Sequence, residues 1–313
     1  MTFTTRFAPS PTGPLHLGHA YSALLAHDMA QAEAGLFHLR IDDLDTTRSR
    51  MEWEEQLKSD LTWLGISWPE PCRRESDHMA SYDAALDRLW EMGLLYPCTC
   101  SRRDIREALS APQEGESIEG PDGLVYPGTC RSEMAYERSF PENHARPKGV
   151  TMRLDMSMAC QMLSDGPLAF FRHRIDTPEG GWHRYGSFTE TGEGPSGETG
   201  LIEIAPEHLC QAVGDVVLSR KDSGAAYHLA VVVDDAAQGI THVIRGQDLF
   251  EATKIHVTLQ HLLDLPTPTY HHHGLIRDDQ GKRLAKRDDA RAIAKYRQDG
   301  ATPQDIRAMV DLG

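Results

Sequence analysis

The first forty residues alternate between short apolar runs and a longer segment with helical spacing. Residues 5–8 predict a strand, which a loop rich in Pro and Gly follows. Residues 18–34 are rich in Ala and Leu at helical spacing, and residues 36–41 predict a second strand. A strand, a helix and a second strand in this order are typical of an α/β domain with a parallel sheet.

Similar patterns recur further along the chain. Helical spacing predicts helices at residues 49–64 and 76–92, each followed by a Gly of the kind that ends helices. Another helix is expected at about 249–263. The apolar, β-branched run at 228–233 predicts a buried strand, and a last short strand is expected near 274–276.

The middle of the chain has a different pattern. In residues 97–204, Pro, Gly and Ser separate short segments with periodic hydrophobicity. Residues 176–200 contain seven glycines and few large apolar side chains. We therefore expect an exposed, mobile loop at 176–200 and an inserted subdomain at 97–204. The two halves of the α/β domain are then residues 1–96 and 205–275, and a tail follows at 276–313.

The charge of the chain restricts its possible partners. The sequence has 313 residues, with 32 Lys and Arg against 47 Asp and Glu, so its formal net charge is −15. A protein that coats nucleic acid needs a broadly basic surface, so an RNA partner has to meet a local patch. Residues 277–297 offer such a patch, with eight Lys or Arg against four Asp.

The N-terminal residues do not have the pattern of a signal peptide, because an Arg and two prolines interrupt them. Apolar runs in the sequence also fall short of the roughly 18 residues of a membrane span. We therefore expect a cytoplasmic protein with no membrane partner. In such a protein six cysteines do not predict a disulfide framework, and the clustering of three of them raises the question of a metal.

His16, Gly18 and His19 lie where the first predicted loop enters the first predicted helix. The N-terminus of a helix offers free N–H groups and a partial positive charge, which favour bound phosphate. Two histidines one turn apart can donate hydrogen bonds to the same anion. Taken alone, however, this HxGH pattern more often reflects capping or packing.

The longer stretch from Arg6 to His19 closely resembles the opening of the glutamyl-tRNA synthetases, in which HxGH is the class I HIGH signature. The resemblance continues through residues 39–45, 227–235 and 243–249, and it ends at 281–287, the place of the KMSKS signature. It implies a Rossmann-type class I synthetase catalytic domain of the α/β class. An inserted zinc-containing subdomain and a short helical C-terminal segment complete the expected fold.

The length then selects a branch of the family. Only 26 residues follow Arg287, too few for the family's anticodon-binding domain. The chain is similar to shortened relatives that activate L-glutamate with ATP in the absence of tRNA. They then transfer it to the queuosine base at the wobble position of the tRNA(Asp) anticodon.

Two alternatives stay open at this point. One is a shortened synthetase that charges a tRNA 3′ end, and the other is a non-catalytic, zinc-containing RNA-binding relative. For the leading hypothesis we expect a monomer that contacts the anticodon arm of queuosine-containing tRNA(Asp).

The resemblance implies roles in binding ATP. Activation joins the α-carboxylate of glutamate to the α-phosphate and expels pyrophosphate, so catalysis is mostly orientation and neutralisation of phosphate charge. His16, His19 and Lys286 are the expected catalytic residues, and Gly18 and Arg283 also belong to the expected ATP site. Magnesium is expected to accompany ATP.

The resemblance also implies a glutamate site. Arg6 and Arg245 are expected on the γ-carboxylate, where a guanidinium fork discriminates against an uncharged amide. Ser10, Asp42 and Tyr227 would hold the α-amino and α-carboxylate end. The remaining expected contacts lie in the first strand and the loop after it: Phe7, Ala8 and Pro9. Taken singly, Asp42 could equally cap a helix, Tyr227 pack in the core and Arg245 form a salt bridge.

Two of these positions depart from the family pattern. Asp42 stands where the family usually has Glu, which withdraws the carboxylate by one methylene. The KMSKS position reads Arg-Leu-Ala-Lys-Arg at 283–287, so it keeps the second lysine and lacks both serines. Lys286 is therefore the expected main phosphate contact there.

The clustered cysteines fit a metal site of the family. Cys98-x-Cys100, followed by Tyr126-x3-Cys130, matches its C-x-C…Y-x3-C zinc pattern, with a longer excursion between the halves. We expect one structural zinc ion on Cys98, Cys100, Tyr126 and Cys130. The three histidines at 271–273 stand beside apolar residues, which favours a strand near the ATP site over a metal tract.

Overall fold

The computed structural model describes residues 2–110, 119–134, 145–165, 186–276 and 291–312. The strands are β1 (Thr4–Phe7), β2 (Leu36–Ile41), β3 (Arg73–Arg74), β4 (Leu95–Cys98), β5 (Glu119–Gly120), β6 (Gly123–Leu124), β7 (Thr151–Leu154), β8 (Gly186–Glu190), β9 (Gly200–Ile204), β10 (Val217–Ser219), β11 (His242–Gly246) and β12 (Thr269–His273). The α-helices are α1 (Leu17–Ala32), α2 (Met51–Trp63), α3 (Met79–Glu91), α4 (Arg102–Ser110), α5 (Thr129–Met134), α6 (Met156–Asp165), α7 (Pro206–His208), α8 (Tyr227–Ala237), α9 (Phe250–Leu262), α10 (Ile293–Gln298) and α11 (Pro303–Met309). Short 3₁₀ turns precede α3 and α9, and a π-helical turn follows α7.

Two mainly parallel sheets form the centre of the protein. In one, β1 and β3 flank β2 in parallel. In the other, β11, β12 and β8 run parallel and β9 joins the edge antiparallel. The amide of Thr241 donates to the carbonyl of Thr4 at 2.9 Å, so β1 and β11 lie side by side. Their carboxyl ends meet at one edge, where α/β proteins place ligand sites.

Strands β4, β7 and β10 form a third sheet, which is antiparallel and, among the described residues, does not pair with the first two. Its strand β4 ends at Cys98, and the two-residue strands β5 and β6 form a hairpin before Tyr126. This arrangement brings the two sequence-distant parts of the cysteine cluster to one place.

The predicted α/β opening is confirmed. Strand β2 coincides with the predicted residues, and β1 and α1 begin within one residue of expectation. One face of α1 is made of small and apolar residues that are fully buried, among them Ala20, Ala23 and Leu24. Gly65 and Gly93 follow α2 and α3 with φ of 84° and 72°, the left-handed conformation that ends a helix there.

Two strand predictions are wrong. Residues 228–233 lie in helix α8, of which nearly every side is buried. A short run of apolar residues does not distinguish a buried strand from a buried helix, since both hide all their faces. The last strand, β12, ends at His273 and does not include residues 274–276. The prediction that the three histidines lie on a strand is confirmed.

The expectation of a loop at 176–200 is wrong for part of that segment, because residues 186–190 form β8 and Gly200 begins β9. Residues 176–185 lie outside the described residues. Gly192 follows β8 and approaches β12 closely, since a Cβ at this position would lie 2.1 Å from the carbonyl oxygen of His272. A glycine is required for this docking of the hairpin on β12.

The C-terminal residues fold back onto the first helix. The amide of Ile293 donates to the carbonyl of Leu15 at 2.8 Å, and Arg307 forms a two-point salt bridge with Asp28 on α1. Residues 291–312 are thereby held along α1, from the residue before His16 to the last turns of the helix. Within the described ranges, none of the helices combines the length and the apolar character that crossing a bilayer requires.

Candidate active site

A cleft of about 400 Å³ opens at the carboxyl ends of β1 and β11. Most of the predicted site residues that the structure describes line it: Arg6, Phe7, Ala8, His16, Gly18, His19, Asp42, Tyr227 and Arg245. Pro9 and Ser10 are not among the lining residues; Pro9 is buried, and its carbonyl accepts from the amide of Asp42. The predicted Arg283 and Lys286 lie outside the described residues. The structure thus brings residues predicted to bind glutamate and residues predicted to bind ATP into one cavity.

His16 and His19 form the N-terminal cap of α1. The Nδ1 of His16 accepts from the amide of Gly18 at 3.2 Å, and the Nδ1 of His19 accepts from the amide of His16 at 3.2 Å. Each neutral ring therefore carries its proton on Nε2. The two rings lie with centroids 3.8 Å apart and planes tilted by 30°, so two N–H donors lie close together at the positive end of a helix.

Arg6 is bound to a carboxylate of α8. Its Nε and Nη2 donate to the two oxygens of Asp235 at 2.9 and 3.1 Å. The two side chains are 6% and 7% exposed. This bidentate pair holds the guanidinium rigidly at the floor of the cleft and leaves Nη1 outside the pair.

Arg40 extends this pair into a network. Its side chain is completely buried; Nη1 donates to Asp235 at 2.6 Å and Nε donates to Asp42 at 2.8 Å. Burial lowers the pKa of Arg40, but Asp42 and Asp235 outweigh burial and leave that pKa above its ordinary value. The sequence Asp42, Arg40, Asp235, Arg6 is therefore a chain of alternating charges whose two ends line the cleft.

Asp42 and Glu75 share this buried acidic environment. Burial raises the pKa of Asp42 above its ordinary value, although Arg40 acts in the opposite direction. Burial also raises the pKa of Glu75, to about 9, and the charge of Asp42 adds to the effect. Glu75 is 2% exposed. It is therefore protonated at neutral pH, which relieves like-charge repulsion on Asp42.

Arg245 lies at the end of β11 and donates in several directions at once. Its Nη2 donates to the hydroxyl of Thr253 at 2.6 Å, its Nη1 contacts His256 Nδ1 at 3.1 Å and its Nε donates to His272 Nε2 at 3.2 Å. These partners are at most 1% exposed. With its donors largely directed into the protein, Arg245 presents a fixed orientation to the cleft.

Tyr227 opens helix α8 beside Arg245. Its side chain stays 39% exposed, and its ring meets the ring of His256 edge-on at 5.5 Å between centroids. A partly exposed phenol at the rim of a buried, charged cavity is available to a ligand. The structure therefore places Tyr227 at the cleft rather than in the core.

The C-terminal segment reaches the cleft from the other side. Ile276 and Leu275 line the cavity, and Ala292 forms an isolated antiparallel bridge with His16. The described residues on both sides of the KMSKS-like segment thus lie at the cleft.

The cysteine cluster forms a separate site. The thiol sulfurs of Cys98, Cys100 and Cys130 all lie within 4.8 Å of one another. The hydroxyl of Tyr126 lies 3.5 Å from the Cys98 sulfur and 3.3 Å from the Cys100 sulfur. A tetrahedral zinc site with bonds of roughly 2.0–2.3 Å needs its donors this close together. The three thiols and the phenol therefore fit an ion of the size of zinc, which prefers sulfur ligands in tetrahedral geometry.

The surroundings of the cluster act on its thiols in opposite directions, since burial raises the pKa of Cys100 to about 11. Arg153 donates from Nε to the Cys98 sulfur at 3.3 Å, and its guanidinium lies 3.9 Å from the centre of the Tyr126 ring. Burial raises the pKa of Cys130, but hydrogen bonds, the largest from Tyr126, outweigh it and bring that pKa to about 7. A thiolate at neutral pH is the form that binds metal.

The family model of the catalytic domain of class I tRNA synthetases (E and Q) matches residues 2–169 and 199–312. The chain belongs to this family. It is therefore an enzyme of the ligase type, and the expected class I synthetase catalytic domain is confirmed. The match leaves out residues 170–198, which include β8.

Two similar curated proteins carry the same name. A glutamyl-Q tRNA(Asp) synthetase from Rhodobacter capsulatus is 55% identical over 98% of this chain and 99% of the relative. One from Nocardia farcinica is 38% identical over 97% of this chain and 82% of the relative. The similarity to the shortened branch of the family is thereby confirmed.

Solved structures agree on the fold of this class I synthetase. The glutamate-tRNA synthetase from Elizabethkingia anophelis aligns with a TM-score of 0.69 at 23% identity, over 99% of this chain and 61% of that chain. A glutamate tRNA ligase from Elizabethkingia meningosepticum, solved with its amino acid, gives 0.68 at 24%, over 99% and 60%. This chain spans about 60% of the length of both.

Two residues at the cleft of this synthetase were not predicted from the sequence: Arg40, which lines it, and Asp235, which binds Arg40 and Arg6 behind it. Both lie within the matching motifs, where the only signal was a charged residue in or beside an apolar run. Further lining residues without a predicted role are Ser22, Val231, Ile244, Gly246, Asp248, Leu249 and His273. Of these, Ser22 contacts His273 at 2.7 Å between Oγ and Nε2.

Proposed function

We propose that the chain activates L-glutamate with ATP in the absence of tRNA and transfers the glutamyl group to the queuosine base at the wobble position of the tRNA(Asp) anticodon. The observation that carries the proposal is the meeting, in one cleft, of two buried arginines, Arg6 and Arg245, with the histidine pair that caps α1. Buried arginines can bind the carboxylate groups of an acidic amino acid, and the N-terminus of a helix can bind a phosphate group.

The glutamate would lie between the two arginines and the acidic end of the network. Arg6 offers Nη1, and Arg245 offers a fixed positive charge to the γ-carboxylate. A glutamine side chain would bring an amide N–H₂ against these donors, which have no acceptor to offer it. Asp42, whose Oδ1 accepts from Arg40, would receive the α-ammonium on its other oxygen, with Tyr227 beside it.

In the activation step, an oxygen of the substrate α-carboxylate attacks the α-phosphorus of ATP. The bond between that phosphorus and the bridging oxygen breaks, and pyrophosphate leaves with the electron pair. The Nε2–H groups of His16 and His19 would donate to phosphate oxygens, and Lys286, with Arg283, would contribute positive charge from the KMSKS position. Magnesium would enter with ATP and bind mainly phosphate and water.

A structural zinc ion on Cys98, Cys100, Tyr126 and Cys130 belongs to the same proposal. It would stabilise the region that joins β4 to the β5–β6 hairpin, and it has no part in the chemical step. The boundaries of the inserted subdomain, 97–204, also remain a proposal.

Pyrophosphate exchange tests the first half of the proposal. With glutamate and ATP but no tRNA, the chain should exchange labelled pyrophosphate into ATP, and glutamine should not support exchange. A strict need for tRNA would instead indicate a synthetase that charges a 3′ end, and no exchange at all would indicate a non-catalytic relative. Lys286→Ala should reduce exchange sharply and leave metal content unchanged.

Transfer to tRNA tests the second half. Labelled glutamate should appear on tRNA(Asp) that contains queuosine and not on the same tRNA without it. After ribonuclease cleavage of the tRNA, the label should lie on the anticodon fragment and not on the 3′-terminal fragment. Label on the 3′-terminal fragment, or on unmodified tRNA, would contradict the proposal.

A further inference from the structure

Glu190, at the end of β8, lies behind the guanidinium of Arg245 without touching it. Its Oε2 lies 2.5 Å from the Nδ1 of His272, and its Oε1 accepts from the amides of His272 and Gly192 at 2.8 and 2.7 Å. The side chains of Glu190 and His272 are both 0% exposed. Water therefore does not compete with these hydrogen bonds. The backbone amides of His272 and Gly192 fix the orientation of the carboxylate.

His272 connects this carboxylate to the substrate cleft. Its Nε2 accepts from the Nε of Arg245 at 3.2 Å. A neutral imidazole has one proton, so a ring whose Nε2 accepts must carry that proton on Nδ1 and donate it to Glu190. Burial lowers the pKa of His272 below its ordinary value, which keeps the ring neutral at physiological pH.

The opposite tautomer would conflict with the Arg245 contact, although the Thr253 hydroxyl also lies 3.1 Å from Nε2. A proton on Nε2 would face the N–H of Arg245, and the bare Nδ1 would face the carboxylate of Glu190. Two buried donors pointed at each other cost free energy and push the guanidinium away. The choice of tautomer therefore determines whether Arg245 keeps its orientation.

Arg245 is also held from its other side. Its Nη1 contacts His256 Nδ1 at 3.1 Å, and His256 Nε2 lies 3.1 Å from the Nδ1 of His228. Its Nη2 is bound by Thr253. Because these contacts remain when Glu190 changes, loss of the Glu190 carboxylate should reorient Arg245 without removing it from the site.

We propose that Glu190 is a positioning residue for substrate recognition, which acts through the tautomer of His272 to hold Arg245 towards the carboxylate of the bound amino acid. This rests on the proposed function in one respect, the assignment of Arg245 to a substrate carboxylate. It also gives the β8–β9 hairpin a part in the active site, since the hairpin carries Glu190 and docks on β12.

The substitution Glu190→Gln separates the tautomer from the packing. The amide oxygen can still accept from the two backbone amides, but the N–H₂ group now faces Nδ1 and requires it to accept. His272 must then place its proton on Nε2, against Arg245. We expect the KM for glutamate in pyrophosphate exchange to rise about tenfold or more, the KM for ATP to stay within about twofold and the melting temperature to fall by a few degrees.

Glu193→Gln is the matched control. Glu193 is exposed on the same segment, three residues after Glu190, and its side chain forms no hydrogen bond with the residues that the structure describes. The control removes the same charge and should leave both KM values unchanged. Equal effects of the two substitutions would mean that net charge, and not the tautomer, matters, which would overturn the proposal.

The ¹⁵N chemical shifts of the His272 ring give a readout that is independent of activity. The unsubstituted chain should show a protonated Nδ1 and a bare Nε2, and Glu190→Gln should reverse the pattern. A protonated Nε2 in the unsubstituted chain would overturn the proposal even if Glu190→Gln fails to fold. Correct ring shifts in a chain that does not activate glutamate would count against the proposed function alone.

Discussion

Arg40 and Asp235 are 195 residues apart in the sequence, yet Nη1 of Arg40 lies 2.6 Å from Oδ1 of Asp235 in the interior. The same carboxylate receives two N–H groups of Arg6. One acidic side chain of α8 thus anchors two arginines that line the cleft. Burial raises the pKa of Asp235, but Arg6 and Arg40 outweigh burial and leave that pKa below its ordinary value. Asp235 is therefore ionised at neutral pH.

Asp235→Asn should weaken both the fold and the recognition of glutamate. The amide keeps the shape but removes the charge that compensates two buried guanidinium groups, a change that typically costs about 3–5 kcal/mol. Arg6 loses one of its two acceptors, so the KM for glutamate should rise about tenfold or more while that for ATP changes less. Chemical denaturation and pyrophosphate exchange measure the two effects.

Gln238→Ala is the control, because it removes only a 3.4 Å contact to Arg40. It should lower the free energy of unfolding by about 1 kcal/mol or less. Wild-type glutamate affinity in Asp235→Asn would contradict this account of the anchor.

The sequence was sufficient to place Arg6 and Arg245 at the cleft but not to find their partners. Arg6 and Asp235 are 229 residues apart, and their contact depends on where the fold places α8 relative to β1. Local periodicity contains no information on such a pair. The motif that carries Asp235 is apolar enough to predict a strand, which would spread Tyr227, Val231 and Asp235 along one face over roughly 26 Å. In helix α8 the same three residues lie on neighbouring turns within about 12 Å, which brings Asp235 close to the residues of the cleft.

The segment before β9 illustrates a second limit. Seven glycines between residues 176 and 200 predicted an exposed loop, because amino-acid composition indicates backbone flexibility and contains no information on tertiary contacts. Gly192 is needed instead for a close approach to β12. Glu190 then becomes a buried acceptor for His272, a role that requires the three-dimensional neighbour to be known.

Glu75→Gln should change how stability depends on pH. The folded state raises the pKa of Glu75 from about 4.5 to about 9. The contribution of the protonated carboxyl to stability is therefore fully present below pH 4.5 and is lost as the pH rises towards 9. Over that window the unfolded chain releases a proton that the folded chain keeps, which lowers stability by about 1.4 kcal/mol per pH unit. The neutral glutamine removes this slope. The free energy of unfolding of Glu75→Gln, relative to that of the unsubstituted chain, should therefore increase from pH 5 to pH 8. Parallel curves for the two proteins would show that Glu75 ionises normally.

Removal of one thiol should abolish the proposed metal site. We expect about one zinc ion per chain in the unsubstituted protein, because three sulfurs and a phenol oxygen lie close enough for tetrahedral ligation. Cys130→Ser should lose the metal and lower the melting temperature, whereas exchange activity at low temperature should persist. Cys72→Ser removes a thiol outside the cluster and should keep the full metal content. Metal analysis by mass spectrometry and thermal denaturation measure these outcomes, and a metal-free protein after purification in zinc-containing buffer would contradict the expectation.

His16 combines two functions, as the N-cap of α1 and as a proposed phosphate donor, and two substitutions separate them. His16→Ala removes both the cap and the imidazole, so it should lower stability by about 1 kcal/mol and pyrophosphate exchange by about 100-fold or more. His16→Asn should retain the cap, because the side-chain oxygen of Asn can accept from the amide of Gly18 as Nδ1 of His16 does. It lacks an N–H at the position of Nε2, so its exchange should fall about as far as that of His16→Ala while its stability stays within about 0.5 kcal/mol of the unsubstituted chain. Full exchange activity in His16→Asn would mean that His16 serves only the helix, and the charge of the bound phosphate would then have to be met by the helix end, His19 and the KMSKS-like segment.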